Sequence, residues 1–260
     1  MRVLRRQILP VAGAVVGVVL LWGLLVWVTG VPAYLVPAPW QVWEAGWDDR
    51  GLIGEHLLAT LRIAVAGFAL GVALGIGMAV LLTLSDLLRR GTEPLLIASQ
   101  AIPPVIFAPI VIAVLGFGDW PKILVVMLGA FFPVAISASV AMRDADRTLV
   151  ELLTSMGASR GTVLRRVRLP GSVPGIVAGA KISASYVVFS AIVAEWMGSS
   201  VGLGVYLQRS RAGYQTDQLF AAVGVIALLG VLLFWLAALA GELVLAHKHT
   251  TAHADKEHQS

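Results

Sequence analysis

The sequence predicts an all-α polytopic membrane protein with six transmembrane helices. Three observations predict it. Of 260 residues, 58% are hydrophobic and only 13% charged, whereas charged residues make up about a quarter of a soluble domain. The mean hydropathy is +0.86. Apolar runs of membrane length recur along the chain, and a bilayer core needs about 20 apolar residues per helix. The runs fall at 8–29, 58–84, 94–116, 122–141, 173–195 and 219–243.

The first run follows the basic opening "MRVLRR". It is about twice as long as a signal-peptide core, and "WVTGVPAYLVP" offers no small-x-small cleavage site, so it reads as an uncleaved span. The second contains "GFALGVALGIG", with Gly67, Gly71 and Gly75 four apart on one helix face. Small residues at that spacing let helix backbones approach closely; packing within one subunit and packing between subunits both remain open. The third carries "AIPPVIFAP", in which Pro103, Pro104 and Pro109 each remove a helix donor, predicting a kinked helix. The fifth ends on Glu195 and Trp196, a carboxylate beside an indole that suits an anchor at the water boundary. The "GSSVGLG" that follows is a glycine-rich turn. Arg62 and Lys181 sit near span ends, from which they can snorkel to water.

Charge fixes the orientation. With the N-terminus in the cytoplasm, the inside segments hold Arg2, Arg5, Arg6, Arg89, Arg90, Arg143, Arg147, Arg160, Arg165, Arg166, Arg168, Lys248 and Lys256. Only Arg50, Lys122, Arg209 and Arg211 fall outside. By the positive-inside rule both termini are cytoplasmic. The net charge of +4 is thereby a matter of topology and gives no reason to expect nucleic acid. A six-span membrane body over 1–246 is followed by a tail, 247–260, that carries four of the five histidines; its polarity and lack of apolar period predict disorder.

The inside loop 143–172 contains "ELLTSMGASRGTVLRRVRLP", residues 151–170. Leu149, Val150, Leu152, Leu153 and Met156 make an apolar stripe at helical spacing. Gly157 can end that helix in a left-handed turn, Ser159 can cap a second, and Leu169-Pro170 is expected to stop it. Two short helices at an angle form a compact knob, and an apolar face projecting into water requires a partner.

Glu151, Gly157 and Val167-Arg168-Leu169-Pro170 resemble the EAA loop of ABC importer permeases, which reads Glu-Ala-Ala, three residues, Gly, nine residues, Ile-x-Leu-Pro. Leu152, Leu153 and Val167 depart from that pattern. The resemblance implies a coupling helix, Glu151 to Ser159 with Met156, Gly157 and Ala158, closed by Leu169 and Pro170, that seats in a groove of a cytoplasmic ATPase. "LVPAPWQVW", "IPPVIFAPIVIAVLGFG", "FFPVAISASV" and "IVAEWMGSSVGLGVYL" extend the likeness to nearly the whole chain. They resemble the branch of permeases serving nitrate, sulfonate, taurine, thiamin-precursor and riboflavin import, and "FFPVAISASVAMRDAD" with "AEWMGSSVGLG" is more similar to the pyrimidine-precursor and riboflavin members.

This resemblance implies a methionine-importer-like permease fold in the bacterial cytoplasmic (inner) membrane. It also implies a second permease copy forming a homodimer, two cytoplasmic ATPase subunits, an extracytoplasmic substrate-binding protein and contact with membrane lipid. ATP and magnesium are expected on the ATPase, and none is expected on this chain. The expected solute is a pyrimidine thiamin precursor or riboflavin-like compound, with sulfonate, taurine or nitrate as the alternative. Candidate pathway residues are Gln100, Pro103, Pro104, Ser137, Ser139, Tyr186, Ser190 and Glu195. Ser183 and Ser185 add polar atoms on the fifth span, and each serine serves equally well as a bond between helices.

Other chemistries lack their residues. No GxxxxGK[ST] phosphate loop occurs, so nucleotide hydrolysis has no Walker A site here. Intramembrane ionisable groups are too scarce for an ion relay. There is no cysteine, and the only histidine outside the tail is His56, which leaves a serine hydrolase without an evident catalytic set. The chain is therefore expected to translocate and not to catalyse.

Overall fold

A computed structural model describes residues 2–99 and 102–257. Every regular element among them is helical: α1 (Arg2–Thr29), α2 (Pro39–Asp48), α3 (Arg50–Leu84), α4 (Asp86–Ser99), α5 (Ala108–Leu115), α6 (Asp119–Arg143), α7 (Arg147–Ser155), α8 (Arg160–Val163), α9 (Leu169–Gly171), α10 (Val173–Trp196), α11 (Leu203–Ala212) and α12 (Thr216–Glu257). Four of these, α3, α6, α10 and α12, are long and apolar enough to cross a membrane. α1 contributes a shorter described apolar stretch, Gly13–Thr29.

The predicted count of six continuous spans is therefore corrected at the third. The stretch 94–116 is not one helix: α4 begins earlier, at Asp86, and ends at Ser99, and the chain resumes as a single 3₁₀ turn, Pro104–Phe107, before the eight-residue α5. Proline is the cause. Pro103, Pro104 and Pro109 supply no N–H; Pro103 and Pro104 push the residues before them, Ile102 and Pro103, out of the helical region and break the helix outright, while Pro109 is accommodated in the first turn of α5. The second span is also longer than predicted. α3 has 35 residues, or about 50 Å, which exceeds a bilayer core of about 30 Å.

α6 is the central post. It faces two neighbours at once: Val126, Ala130 and Val134 meet α3, and Pro133, Val134 and Ser137 meet α10. The glycine triplet makes the first contact possible. A Cβ on Gly67, Gly71 or Gly75 would stand 2.5, 2.6 or 2.9 Å from the Cβ of Val126, Ala130 or Val134 respectively. The triplet thus serves packing inside the subunit, which settles the alternative left open by the sequence. Gly179 lets α10 approach equally closely, for a Cβ there would stand 2.9 Å from the backbone of Pro133 and Val134. α12 then packs on α10 and α11, closing a cluster of Ile53, Val188, Ile192, Leu203, Tyr206, Ala222 and Leu229.

At the far end, α12 continues as helix to Glu257, through most of the tail whose composition predicts disorder. No glycine or proline follows Gly241, so nothing in the local chemistry terminates the helix. In the loop between α6 and α10 the chain likewise does not stop at Leu169-Pro170 as expected. Leu164–Arg168 form a π turn, in which Leu169 N–H donates to Leu164 O, and helix geometry runs on through α9 into α10. The wider turn adds a residue where proline would otherwise disrupt the ordinary i to i−4 ladder.

Candidate functional site

The loop between α6 and α10 folds as an elbow built from local signals. Asp146 caps α7: its Oδ1 accepts from the N–H groups of Thr148 at 2.9 Å and Leu149 at 3.2 Å. Gly157, at φ +81°, ends α7, with Ala158 N–H donating to Leu153 O and Gly157 N–H to Thr154 O. That pair of bonds is a Schellman closure. Ser159 Oγ then accepts from Thr162 N–H at 3.3 Å and starts α8. The left-handed turn and the cap set α7 and α8 at an angle, as their residues predict.

The two arms have different fates. Val163 and Leu164 are buried, and Leu164 joins Ala79, Ala138 and Met142, which fixes α8 to the body. α7 buries no residue. Leu149, Leu152 and Met156 lie along one face, 46%, 54% and 74% exposed, while Glu151 beside them is also exposed. Leu153, Ala158, Leu169 and Pro170 are half-buried. An apolar stripe held out on an anchored arm can bind the groove of a soluble partner.

At the opposite end of α10 the structure assembles a group that no local pattern in the sequence announces. Glu195 is 1% exposed. One carboxylate oxygen accepts from Thr60 Oγ1 and the other from Gly204 N–H, both at 2.7 Å. Thr60 Oγ1 accepts in turn from Leu203 N–H at 2.8 Å, and His56 Nδ1 from Gly202 N–H at 2.8 Å. His56 therefore carries no proton on Nδ1. Gly202, at φ +138°, has no room for a side chain, because a Cβ would overlap the Glu195 carboxylate. The "GSSVGLG" turn is thus clamped onto α3 and α10. Lys122 continues the clamp, 3.0 Å from both Asp119 and Ser199 while itself only 5% exposed.

α11 is tied down by Tyr206, whose hydroxyl donates to Asp49 Oδ2 at 2.7 Å. Burial, reinforced by that carboxylate, pushes the phenol above its usual range. Reading Glu195 as a water-boundary anchor is corrected: it is a buried acceptor. His56 and Thr60 carried no sequence signal beyond lying one turn apart at the start of α3, and their partners are more than 130 residues away.

The remaining candidates divide by exposure. Ser139 and Ser190 are buried, and Ser183 donates to Ala130 O at 2.8 Å, a bond between α10 and α6. Ser137 is half-buried beside Gly179. Tyr186 is 57% exposed on the same face of α10 as Ile182 and Phe189. Pro103 is exposed in the break before α5, Pro104 opens the 3₁₀ turn, and Gln100 lies outside the described residues.

The described residues thus form a multi-helix membrane body with a clamped loop at one end and an exposed, apolar-faced elbow at the other, an architecture suited to a membrane translocation subunit. The chain belongs to the binding-protein-dependent transport system inner membrane component family, which residues 71–245 match. It is an ABC transport permease, a multi-pass membrane subunit and not an enzyme. It is 33% identical over 215 residues to the formylaminopyrimidine transport permease protein ThiX of Halalkalibacterium halodurans, covering 82% of this chain and 86% of that one. It is 34% identical over 248 residues to the riboflavin transport system permease protein RibX of Chloroflexus aurantiacus, covering 94% and 92%. A structure of the inward-facing MetNI methionine ABC transporter superposes with a TM-score of 0.64 at 23% identity, covering 76% of this chain and 96% of that one, and so shares the fold.

Proposed function

We propose that this permease imports a small heteroaromatic solute, a pyrimidine thiamin precursor or a riboflavin-like compound, delivered by an extracytoplasmic binding protein. Two copies form the pathway, with both termini cytoplasmic. Two ATPase subunits, which hold ATP and magnesium, seat on the α7 arms. The pathway runs past the broken segment 102–107 and the exposed face of α10 around Tyr186. The observation that carries the coupling role is the stripe of Leu149, Leu152 and Met156, exposed on one arm of an elbow whose other arm is anchored by buried Val163 and Leu164. Similarity to permeases named for formylaminopyrimidine and riboflavin supports the solute class.

The test is affinity purification of the detergent-solubilised chain from its native host, followed by identification of what co-purifies. Recovery of an ABC ATPase is expected, and a companion binding protein is then screened against formylaminopyrimidines, riboflavin, taurine and nitrate. Recovery of the chain alone, with residues 151–170 open to protease in native membranes, overturns the coupling role. Preference for taurine or nitrate overturns the solute class alone.

A further inference from the structure

α4 is loosely held for a helix that leads into the broken segment. Among its described side chains only Leu96 is buried. Its defined joints are polar instead. Glu93 Oε1 lies 2.5 Å from Arg143 Nη1, with the two side chains 25% and 33% exposed. Arg143 is the last residue of α6, where the elbow begins. Asp86 Oδ2 lies 3.8 Å from Arg160 Nη2, and Arg160 Nη1 donates to Leu84 O at 3.2 Å. Arg160 is the first residue of α8, at the bend of the elbow. Both ends of the elbow's first half are therefore bound to α4 or to its hinge with α3.

We propose that Glu93–Arg143, assisted by Asp86–Arg160, is the joint through which the elbow moves α4, making these four positioning residues for transport. The proposal rests on the coupling role above. An element with a single buried apolar side chain offers little resistance to displacement, so it follows whatever grips it. Here the grip comes from arginines on the elbow. Glu93–Arg143 is the better shielded pair and the less screened; Asp86–Arg160, 62% and 75% exposed, is the adjustable one.

The chain has no cysteine, so a single introduced thiol reports on α4. Ala98→Cys lies in a cleft of about 510 Å³ that Arg90 and Glu93 also line. In the complex with its ATPase, the rate of labelling by a water-soluble maleimide is compared between ADP and ATP with vanadate. The parent rate is expected to change by about fivefold or more, the lower end of ordinary coupling. Arg143→Gln and Glu93→Gln, each still co-purifying with the ATPase, should cut the change to under about twofold. The exchange of charges, Glu93→Arg with Arg143→Glu, should restore it. An unchanged rate in the parent, a parent-like change in both single variants, or failure of the exchange to restore the change overturns the proposal. Gly157→Pro in the same background separates the two ideas: if its change persists, transmission through α7 fails, while the Arg143 and Glu93 variants still decide whether the ion pair carries the motion of α4.

Discussion

Removing the Glu195 carboxylate tests whether the clamp at the end of α10 holds the subunit together or lines the pathway. Glu195→Ala strips the acceptor from two buried donors, Gly204 N–H and the Thr60 hydroxyl. The Thr60 hydroxyl can fall back on His56 O, 3.1 Å away, so its loss is small. Gly204 N–H has no such alternative, and an unpartnered buried donor costs about 1–3 kcal/mol. The emptied volume adds about 1 kcal/mol or more, for a total of roughly 2–4 kcal/mol. At about 2–4 °C per kcal/mol for a chain of this size, the apparent melting temperature in detergent should fall by roughly 5–15 °C. Glu195→Gln keeps one acceptor but turns an amide N–H toward the other donor, so it should lie between Ala and the parent. The assay is thermal unfolding of purified protein, read beside uptake in proteoliposomes. A Glu195→Ala variant that melts within about 2 °C of the parent yet transports poorly would refute the clamp and return Glu195 to the pathway.

Further outcomes are expected at the other sites. Leu152→Asp places a charge on the apolar stripe of α7 and should abolish co-purification of the ATPase without lowering the melting temperature, because α7 buries nothing in the subunit. Glu151→Lys and Gly157→Pro should abolish transport and solute-stimulated ATP hydrolysis while the chain stays in the membrane; retained stimulation in both would sink the coupling role. Gly71→Val drives a branched side chain into Ala130 and the Met127 carbonyl, 2.6 and 2.7 Å from the position of a Cβ, and should cost about 1–3 kcal/mol or prevent accumulation of folded protein, as judged by size-exclusion profile. Because the Tyr206 phenol is raised in the folded state, its contribution is fully present below the unfolded value of about 10 and is lost as pH rises above it. Tyr206→Phe should therefore flatten the alkaline loss of thermal stability, as measured by melting curves across that range.

The shape of the elbow was legible because its determinants are short-range. A cap, a left-handed glycine and a stripe at helical spacing all lie within the 14 residues from Asp146 to Ser159, and each acts on its own backbone neighbours. Hydropathy located four long spans for a similar reason, since lipid demands length and apolarity and nothing subtler. The clamp was not legible. Thr60 and Glu195 are 135 positions apart, and neither residue type distinguishes a buried acceptor from an interfacial anchor until the fold brings them together.

By itself the sequence determined that the chain lives in a bilayer, which loops carry positive charge, and that the loop 143–172 holds a short helix with an apolar stripe. Those properties follow from composition and from contacts a few residues apart. Tertiary structure alone decided which face of each helix is interior. Lipid and protein core are both apolar, so α3 shows no polar face to mark its buried stripe of Ile53, His56, Thr60, Ala64, Gly67, Gly71 and Gly75. Only the close approach of α6 reveals why that face is small, and only the return of the 198–204 turn reveals why a carboxylate can be buried at its end.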